Sequence, residues 1–416
     1  MSLVVDDFFP PIFLTTKDTK LHEGNLRVIH SIITVTAAGA LAACSLAYYT
    51  LCLWSARAFL RERHAGEGAR ATPPTALPVS ILKPLRGTDP EMYESFRSHC
   101  LQDYPEYEII FGVSDDQDPA IKLVERLQLE FPCHSIHLLL CTKNLGSNTK
   151  VSNLAQMLAQ AKYETILVND SDIRVPSDYL RRVVAPLSDA RVGLLTCLYR
   201  GIAGPTLGSR LEALGISTDF SAGVLAARLV EGGIRFGLGS TLALRRADLE
   251  AIGGFEAFVN YLADDYEIGR GIANRGLKVK LSDVVVETFL PAYSLREFLD
   301  HQLRWGRTVR DSRRWGYLGL VLTFGLPWAV LTLISSRGDL WAWILLAAVT
   351  SLRVAVALVA GWSVLRDRQV LRLLLWLPLR DFVALVVWLA SLVGHKVVWR
   401  GDSFKLKGGR LVRLDS

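Results

Sequence analysis

The stretch ILVNDSDIRV, residues 166–175, drives an apolar run into two carboxylates one residue apart, Asp170 and Asp172. If the run stays extended, side chains at i and i+2 point the same way, and the two acids face one ligand together. Carboxylates so placed repel and raise each other's pKa unless a cation or hydrogen-bond donors offset them. A hard divalent ion, held by one or two carboxylates and completed by a substrate's phosphates, meets that need. Turns and helix caps are also rich in aspartate. Two further acidic clusters weigh against that plainer reading: Asp115 and Asp116 in FGVSDDQDPA (111–120), and Asp264 and Asp265 in NYLADDYEIGRGIANRG (260–276).

Other residues suit an anionic or lipid ligand. Lys150 and Asn153 in NTKVSNL (148–154) open a helical pattern, where amide donors and a cation suit a nucleotide phosphate, or simply face water as a first turn. Asp264 and Asp265 open another, where acids complement the helix dipole. Gly237, Gly239 and Ser240 in RFGLGSTLALRR (235–246) let a substrate approach the backbone, or make a turn into a strand. Arg304, Arg307, Arg310 and Arg314 recur every three or four residues and so share a helix face. Such a stripe binds lipid headgroups or a diphosphate, or is the plain basic flank of a membrane segment. Trp305 beside it stacks on a ring or anchors at the interface.

The elements that must position these groups alternate in type. Apolar runs at 79–82, 108–113, 136–140 and 165–169 read as buried strands, separated by helical patterns such as 120–130 and 151–160. That order predicts an α/β domain over 77–315 with a mostly parallel sheet covered by helices. Ligands of such sheets bind beyond the carboxyl ends of the strands, where Asp115 and Asp170 fall.

The 416 residues are 50% hydrophobic, yet 21% are charged, so apolar blocks alternate with ordinary globular sequence. Residues 28–54 hold no charge and exceed the ~20 needed to span a bilayer. The flanking basic residues favour a cytoplasmic chain after this anchor. Residues 55–76 read as a linker. Apolar character returns at 317–335, 340–362 (interrupted by Arg353) and 382–399, within a membrane region at 316–399. The piece at 370–379 is too short to span and reads as interfacial or re-entrant. Three spans would put the basic tail, 400–416, on the far side against the charge rule, so a re-entrant segment is the alternative. The six cysteines show no metal-ligand spacing and read as reduced structural thiols.

Five motifs in order resemble the ceramide glucosyltransferase family, within glycosyltransferase families 2 and 21: ILKPLRGTDP (81–90), VSDDQDPA (113–120), NDSDIRV (169–175), LADDYEIGRGIANRG (262–276) and HQLRW (301–305). The resemblance implies a GT-A-type nucleotide-sugar-binding domain flanked by transmembrane helices. It implies an inverting, UDP-sugar-dependent hexosyltransferase acting on a membrane lipid, with Mg2+ or Mn2+ as cofactor. By position, Asp115 contacts the nucleotide, Asp170 and Asp172 form a D-x-D metal site, and Asp265 is the general base beside Asp264. The closing motif falls on His301, Arg304 and Trp305. Lys150, Asn153 and Gln302 join the nucleotide-sugar set, Gln302 because His301 stands where the family has Gln or Arg. Asp172 stands where ceramide glucosyltransferases commonly have Gly. The HQLRW pattern looks like a bacterial branch that transfers N-acetylglucosamine to a hopanoid polyol. That implies bacteriohopanetetrol as acceptor at the bacterial inner membrane, with UDP-glucose and ceramide as the alternative. A nucleotide-driven transporter lacks its phosphate-loop motif here, a polysaccharide synthase would need more spans, and a non-catalytic membrane scaffold is the rival of another class.

Overall fold

The computed structural model describes residues 16–68, 76–399 and 402–413. Eleven strands are found among them. β1 (Val79–Pro84), β2 (Tyr107–Val113), β3 (Ser135–Leu140), β4 (Thr165–Val168), β5 (Ile173–Arg174), β6 (Val192–Ile202), β7 (Leu242–Arg245) and β8 (Lys278–Phe289) form one sheet in the order β3-β2-β1-β4-β7-β6-β8-β5. β9 (Lys396–Trp399), β10 (Asp402–Lys407) and β11 (Arg410–Arg413) form a small second sheet.

The four strands expected from the apolar runs are neighbours and all parallel. Beyond β4 the sheet turns mixed: β7 runs antiparallel to β4 and β6, β6 and β8 are parallel, and β5 closes the edge antiparallel to β8. Helices pack on both faces and bury Phe96, Phe111, Ile109 and Tyr179 on one side and Ile110, Val168, Leu198 and Phe255 on the other. Central strands covered on both faces need apolar side chains in both directions, which is why they read as unbroken apolar runs. All six cysteines are free thiols.

The anchor differs from expectation at its inner end. One helix, Thr16–Gly68, continues through the first part of the expected linker. The change in composition after Trp54 marks where the apolar environment ends rather than where the helix ends, since arginine is a good helix former. Arg63 lies buried on this extension and donates to the Val364 carbonyl at 2.9 Å.

Among the described residues, four helices are long and apolar enough to cross a membrane: Ser31–Ala65, Leu207–Val230, Leu340–Val364 and Gln369–Ser391. A pair, Arg314–Thr323 and Gly325–Ser335, bends by 52°. Leu207–Val230 connects β6 to β7, two strands of one sheet, so both its ends stay with the sheet domain. At the far end of the anchor, the Ser31 hydroxyl reaches the Ser335 carbonyl. At the near end, the Arg200 guanidinium holds the Leu365 and Arg366 carbonyls. The bent pair therefore runs away from the sheet domain and Leu340–Val364 runs back. Gln369–Ser391 begins against β6 through Gln369 and Gly201, and ends where Arg310 binds the Ser391 and Gly394 carbonyls. Gln369–Ser391 thus joins the expected interfacial piece at 370–379 and the start of the expected span at 382–399 into one apolar run of 23 residues, itself long enough to cross. Arg353, mid-helix in an apolar stretch, is buried between Asp381 at 2.8 Å and Asp219, as a charge in that setting requires.

The expected basic tail is also corrected. Residues 402–413 are β10 and β11, folded back onto the sheet domain: Leu262 donates its amide to the Gly409 carbonyl (3.3 Å) and Leu411 to that of Asn260 (2.7 Å). Lys407 pairs with Arg410, so Gly408 and Gly409 make a two-residue turn with φ of 57° and 78°. Positive φ at both positions is what a tight hairpin needs and what glycine supplies.

Candidate active site

The site sits at the carboxyl ends of β1, β2 and β4. After Val168 the side chain of Asn169 is fully buried; its amide donates to the Ser240 carbonyl (2.6 Å) and the Tyr179 hydroxyl (2.9 Å). That anchoring turns the chain, and the Ile173 amide donates back to the Asp170 carbonyl at 3.4 Å. The segment therefore turns at Ser171 and Asp172 instead of staying extended, so strand alternation does not set the direction of the two acids, which remain close enough for the charge of Asp170 to act on Asp172. Asp170 accepts from the Lys150 ammonium at 2.7 Å, whereas Asp172 accepts from the Thr288 hydroxyl on β8. Burial, then the charge of Asp170, pushes the Asp172 carboxyl up to about 6.

Lys150 occupies the first turn of the helix Thr149–Leu158. The helix is capped by Asn148, whose side-chain oxygen accepts from the Val151 amide at 3.2 Å. The same side chain donates to the Tyr261 carbonyl (2.7 Å) and to Asp264 (3.4 Å), joining this helix start to the next acidic cluster. The Lys150 ammonium lies 3.4 Å from Asp264 as well. Burial opposes its charge, but Asp170, Asp264 and Asp265 outweigh that and hold it above the usual lysine value.

A second lysine was not singled out by spacing. Lys83, fully buried at the end of β1, donates to the Asp170 carbonyl at 2.9 Å. Burial pulls it down to about 7 against the attraction of Asp172 and Asp170. The signal was a lone charge in the apolar run VSILKP.

Asp264 and Asp265 begin the helix Asp264–Asn274. Burial, then the neighbouring Asp264, pushes the Asp265 carboxyl up to about 7. Gly237 donates its amide to the Asp265 carbonyl at 3.2 Å. A Cβ on Gly239 would lie 3.0 Å from Asp170 Oδ2 and 3.3 Å from Asp265 Oδ2, so both carboxylates converge on that glycine. Close approach also governs Gly269 on this helix, whose added Cβ would stand 2.1 Å from the Gly237 amide nitrogen. Backbone cannot yield as a flexible side chain can, so Gly269→Ala is expected to cost about 1–3 kcal/mol by overpacking. Thermal unfolding of the purified variant should show a lowered Tm.

The closing motif lies on the helix Leu295–Ser312, started by a capping box of Ser294 and Glu297. His301 donates from Nδ1 to the Glu212 carboxylate (2.8 Å) and lies stacked on Tyr293. Trp305 is partly exposed, edge-on to Phe220. Gln302 accepts from Arg380 at 3.2 Å, toward the membrane helices. Arg304 lies near enough to Tyr293 for its charge to bear on that phenol. The arginine stripe is not one free surface: Arg307 binds the Lys396 carbonyl and Arg310, buried, binds those of Ser391 and Gly394. Cations suit the carboxyl end of a helix, and these two tie down the end of Gln369–Ser391. The helix ends before Arg314, which starts the next one.

Asp115 lines a cleft of about 290 Å³ with Arg86, Ser114 and Thr149. Asp118, on the same loop, accepts from the Gly87 amide at 2.9 Å and the Ala120 amide at 2.9 Å, locking the loops after β1 and β2 together. Asn153 is buried behind this cleft, where its side-chain oxygen accepts from the Ser114 hydroxyl at 2.9 Å. The arrangement thus brings Asp170, Lys150, Asp264 and Asp265 together, sets Asp115 in an adjoining cleft, and holds Asp172 on Thr288.

The glycosyl transferase family 21 model matches residues 37–412. Ceramide glucosyltransferase 1 of Caenorhabditis elegans is 23% identical over 355 residues, covering 82% of this chain and 74% of that protein. Ceramide glucosyltransferase 3 of the same organism is 29% identical over 228 residues, 55% of this chain and about half (49%) of that protein's length. Among solved structures, a mannosyltransferase from Pyrobaculum calidifontis in complex with GDP-Man and Mn2+ is similar with a TM-score of 0.49 and 19% identity, covering 86% of this chain and 99% of that one.

Proposed function

Since the chain belongs to glycosyl transferase family 21 and is a glycosyltransferase, we propose that it moves a sugar from a UDP-sugar to a hydroxyl of a membrane lipid, with inversion at the anomeric carbon. The observation that supports this reading best is the convergence of Asp170 and Asp265 on Gly239, with Lys150 between Asp170 and Asp264. A single displacement needs a base for the acceptor hydroxyl on one side and positive charge for the departing diphosphate on the other. Asp265 is the base, raised toward neutrality, and Lys150 and Arg304 supply charge. Asp115, with Ser114 backed by Asn153, holds the nucleotide. His301, Trp305 and Gln302 stand at the membrane-facing side, where the acceptor's hydroxyl enters.

The four acids of this site outnumber Lys150 and Lys83, and Asp170 remains partly open, so the donor set fits a hard divalent ion, Mg2+ or Mn2+. No group of three or more His, Cys, Asp or Glu side chains surrounds one point among the described residues. Asp170, with Asp172 beside it, would hold the ion together with oxygens of the diphosphate. Bound there, it would stabilise the leaving charge.

The relatives, named as ceramide glucosyltransferases, favour ceramide as acceptor and glucose as the sugar moved. A second reading, N-acetylglucosamine transfer to a hopanoid polyol at a bacterial inner membrane, rests on the sequence pattern alone, with His301 in HQLRW and Asp172 in NDSDIRV. In either case the domain faces the cytoplasm, where activated sugars are made. Membranes containing the protein, given UDP-glucose or UDP-N-acetylglucosamine with ceramide or bacteriohopanetetrol, should yield one glycolipid by mass spectrometry. No product from any pair would sink the reading.

The raised Asp265 carboxyl sets the pH dependence. A base works deprotonated; below about 7 its neutral form dominates, so kcat/KM should fall as pH drops through that value and level off above it. A pH–rate profile flat down to the ordinary aspartate range would contradict the assignment.

A further inference from the structure

We infer that the C-terminal sheet is the outer wall of the donor cleft and that Asp402 recognises the nucleoside part of the donor; this rests on the UDP-sugar reading above. The sheet is built into the domain. Its Val397, Phe404, Leu406 and Leu411 share a small core with Leu262, two residues before Asp264. Arg410 donates to the Tyr261 hydroxyl at 3.0 Å, its guanidinium over the ring.

One edge of this sheet faces the loop before the Thr149–Leu158 helix. Asp402, Phe404 and Arg413 line a cavity of about 340 Å³ with Asn144, Gly146 and Thr149. Asp402 and Thr149 also line the 290 Å³ cleft that holds Asp115. The two spaces therefore meet at Asp402, and together they are large enough for a nucleoside diphosphate with a sugar.

The chemistry matches. Asp402 pairs with Arg413 at 3.3 Å, and both side chains are well exposed, so the pair is weak and exchangeable. A carboxylate accepts from the vicinal hydroxyls of a ribose, and a freed guanidinium donates to ring carbonyls or phosphate oxygens. Asp115 across the cleft offers a second acceptor. The open end of the β10–β11 hairpin, which brings an acid and a base to this opening, distinguishes a nucleotide wall from a merely structural clamp.

The test uses the purified full chain and UDP as the probe, with affinity read by titration calorimetry and donor and lipid KM by initial rates. Losing one charge-assisted hydrogen bond should weaken UDP binding by Asp402→Asn about tenfold and raise the donor KM alike, with the lipid KM unchanged. Arg413→Ala should act in the same direction, and UDP should slow amide exchange in residues 402–413. Both side chains are exposed, so neither change threatens folding. Unchanged UDP affinity in both variants, with no exchange protection, would overturn the inference if Asp115→Asn still weakens binding. A wild-type chain that binds no UDP would instead overturn the donor reading, and the inference with it.

Discussion

Asp265→Asn is expected to lower kcat by about 10²–10⁴, the range a positioned general base contributes. The substitution keeps size and shape, so the helix Asp264–Asn274 and the Gly237 contact to the Asp265 carbonyl stay in place. What is lost is the site that takes the acceptor's proton. Because the change acts on the chemical step, donor KM should move little, and the kinetic split between kcat and KM is the measurement that checks it. The variant should also lose the fall in rate below about pH 7, since the titrating group is gone. Near-wild-type transfer would reassign the base.

Asp170→Asn is expected to reduce kcat/KM by about 10²-fold or more, because it removes both the anchor of Lys150 and the carboxylate offered to a divalent ion, an interaction of several kcal/mol. Two readouts separate these roles. If the ion matters, the activity of the wild-type protein should be abolished by EDTA and restored by Mg2+ or Mn2+, and the variant should need more metal for half-activation. If Asp170 only positions Lys150, chelation leaves the wild type active. Lys83 makes a structural loss less of a concern, since it binds the Asp170 carbonyl and not its carboxylate.

The first half of the sheet was legible because β1 to β4 are buried on both faces and read as apolar runs. β8, KVKLSDVVVETF, was not: polar residues break its run, since it lies near the edge next to the two-residue β5. The long apolar segment Leu207–Val230 went unread because it sits inside a domain that otherwise looked globular. In the site, acids at strand ends were visible in sequence, but their partners were not. Thr288 lies 116 positions from Asp172, and Tyr261 lies 113 from Asn148, and no local pattern encodes such pairings. The Arg304 to Arg314 spacing told which side chains share a face, not that Arg310 would find the Ser391 carbonyl at a helix end and Arg307 the Lys396 carbonyl at the start of β9. Likewise a short basic tail carries no period long enough to announce two strands.

The return of residues 402–413 to Tyr261 has a consequence for how the enzyme comes into being. Translation runs from the amino end, so the strands that clamp the loop before Asp264 and Asp265 emerge after the apolar helices Leu340–Val364 and Gln369–Ser391. A chain still being inserted has its acids and its lysines but not the clamp on their loop. The loop that leads into Asp264 and Asp265 therefore takes its final form only once residues 402–413 have folded back onto Asn260, Tyr261 and Leu262, so the order of this acidic pair depends on a segment about 140 positions away.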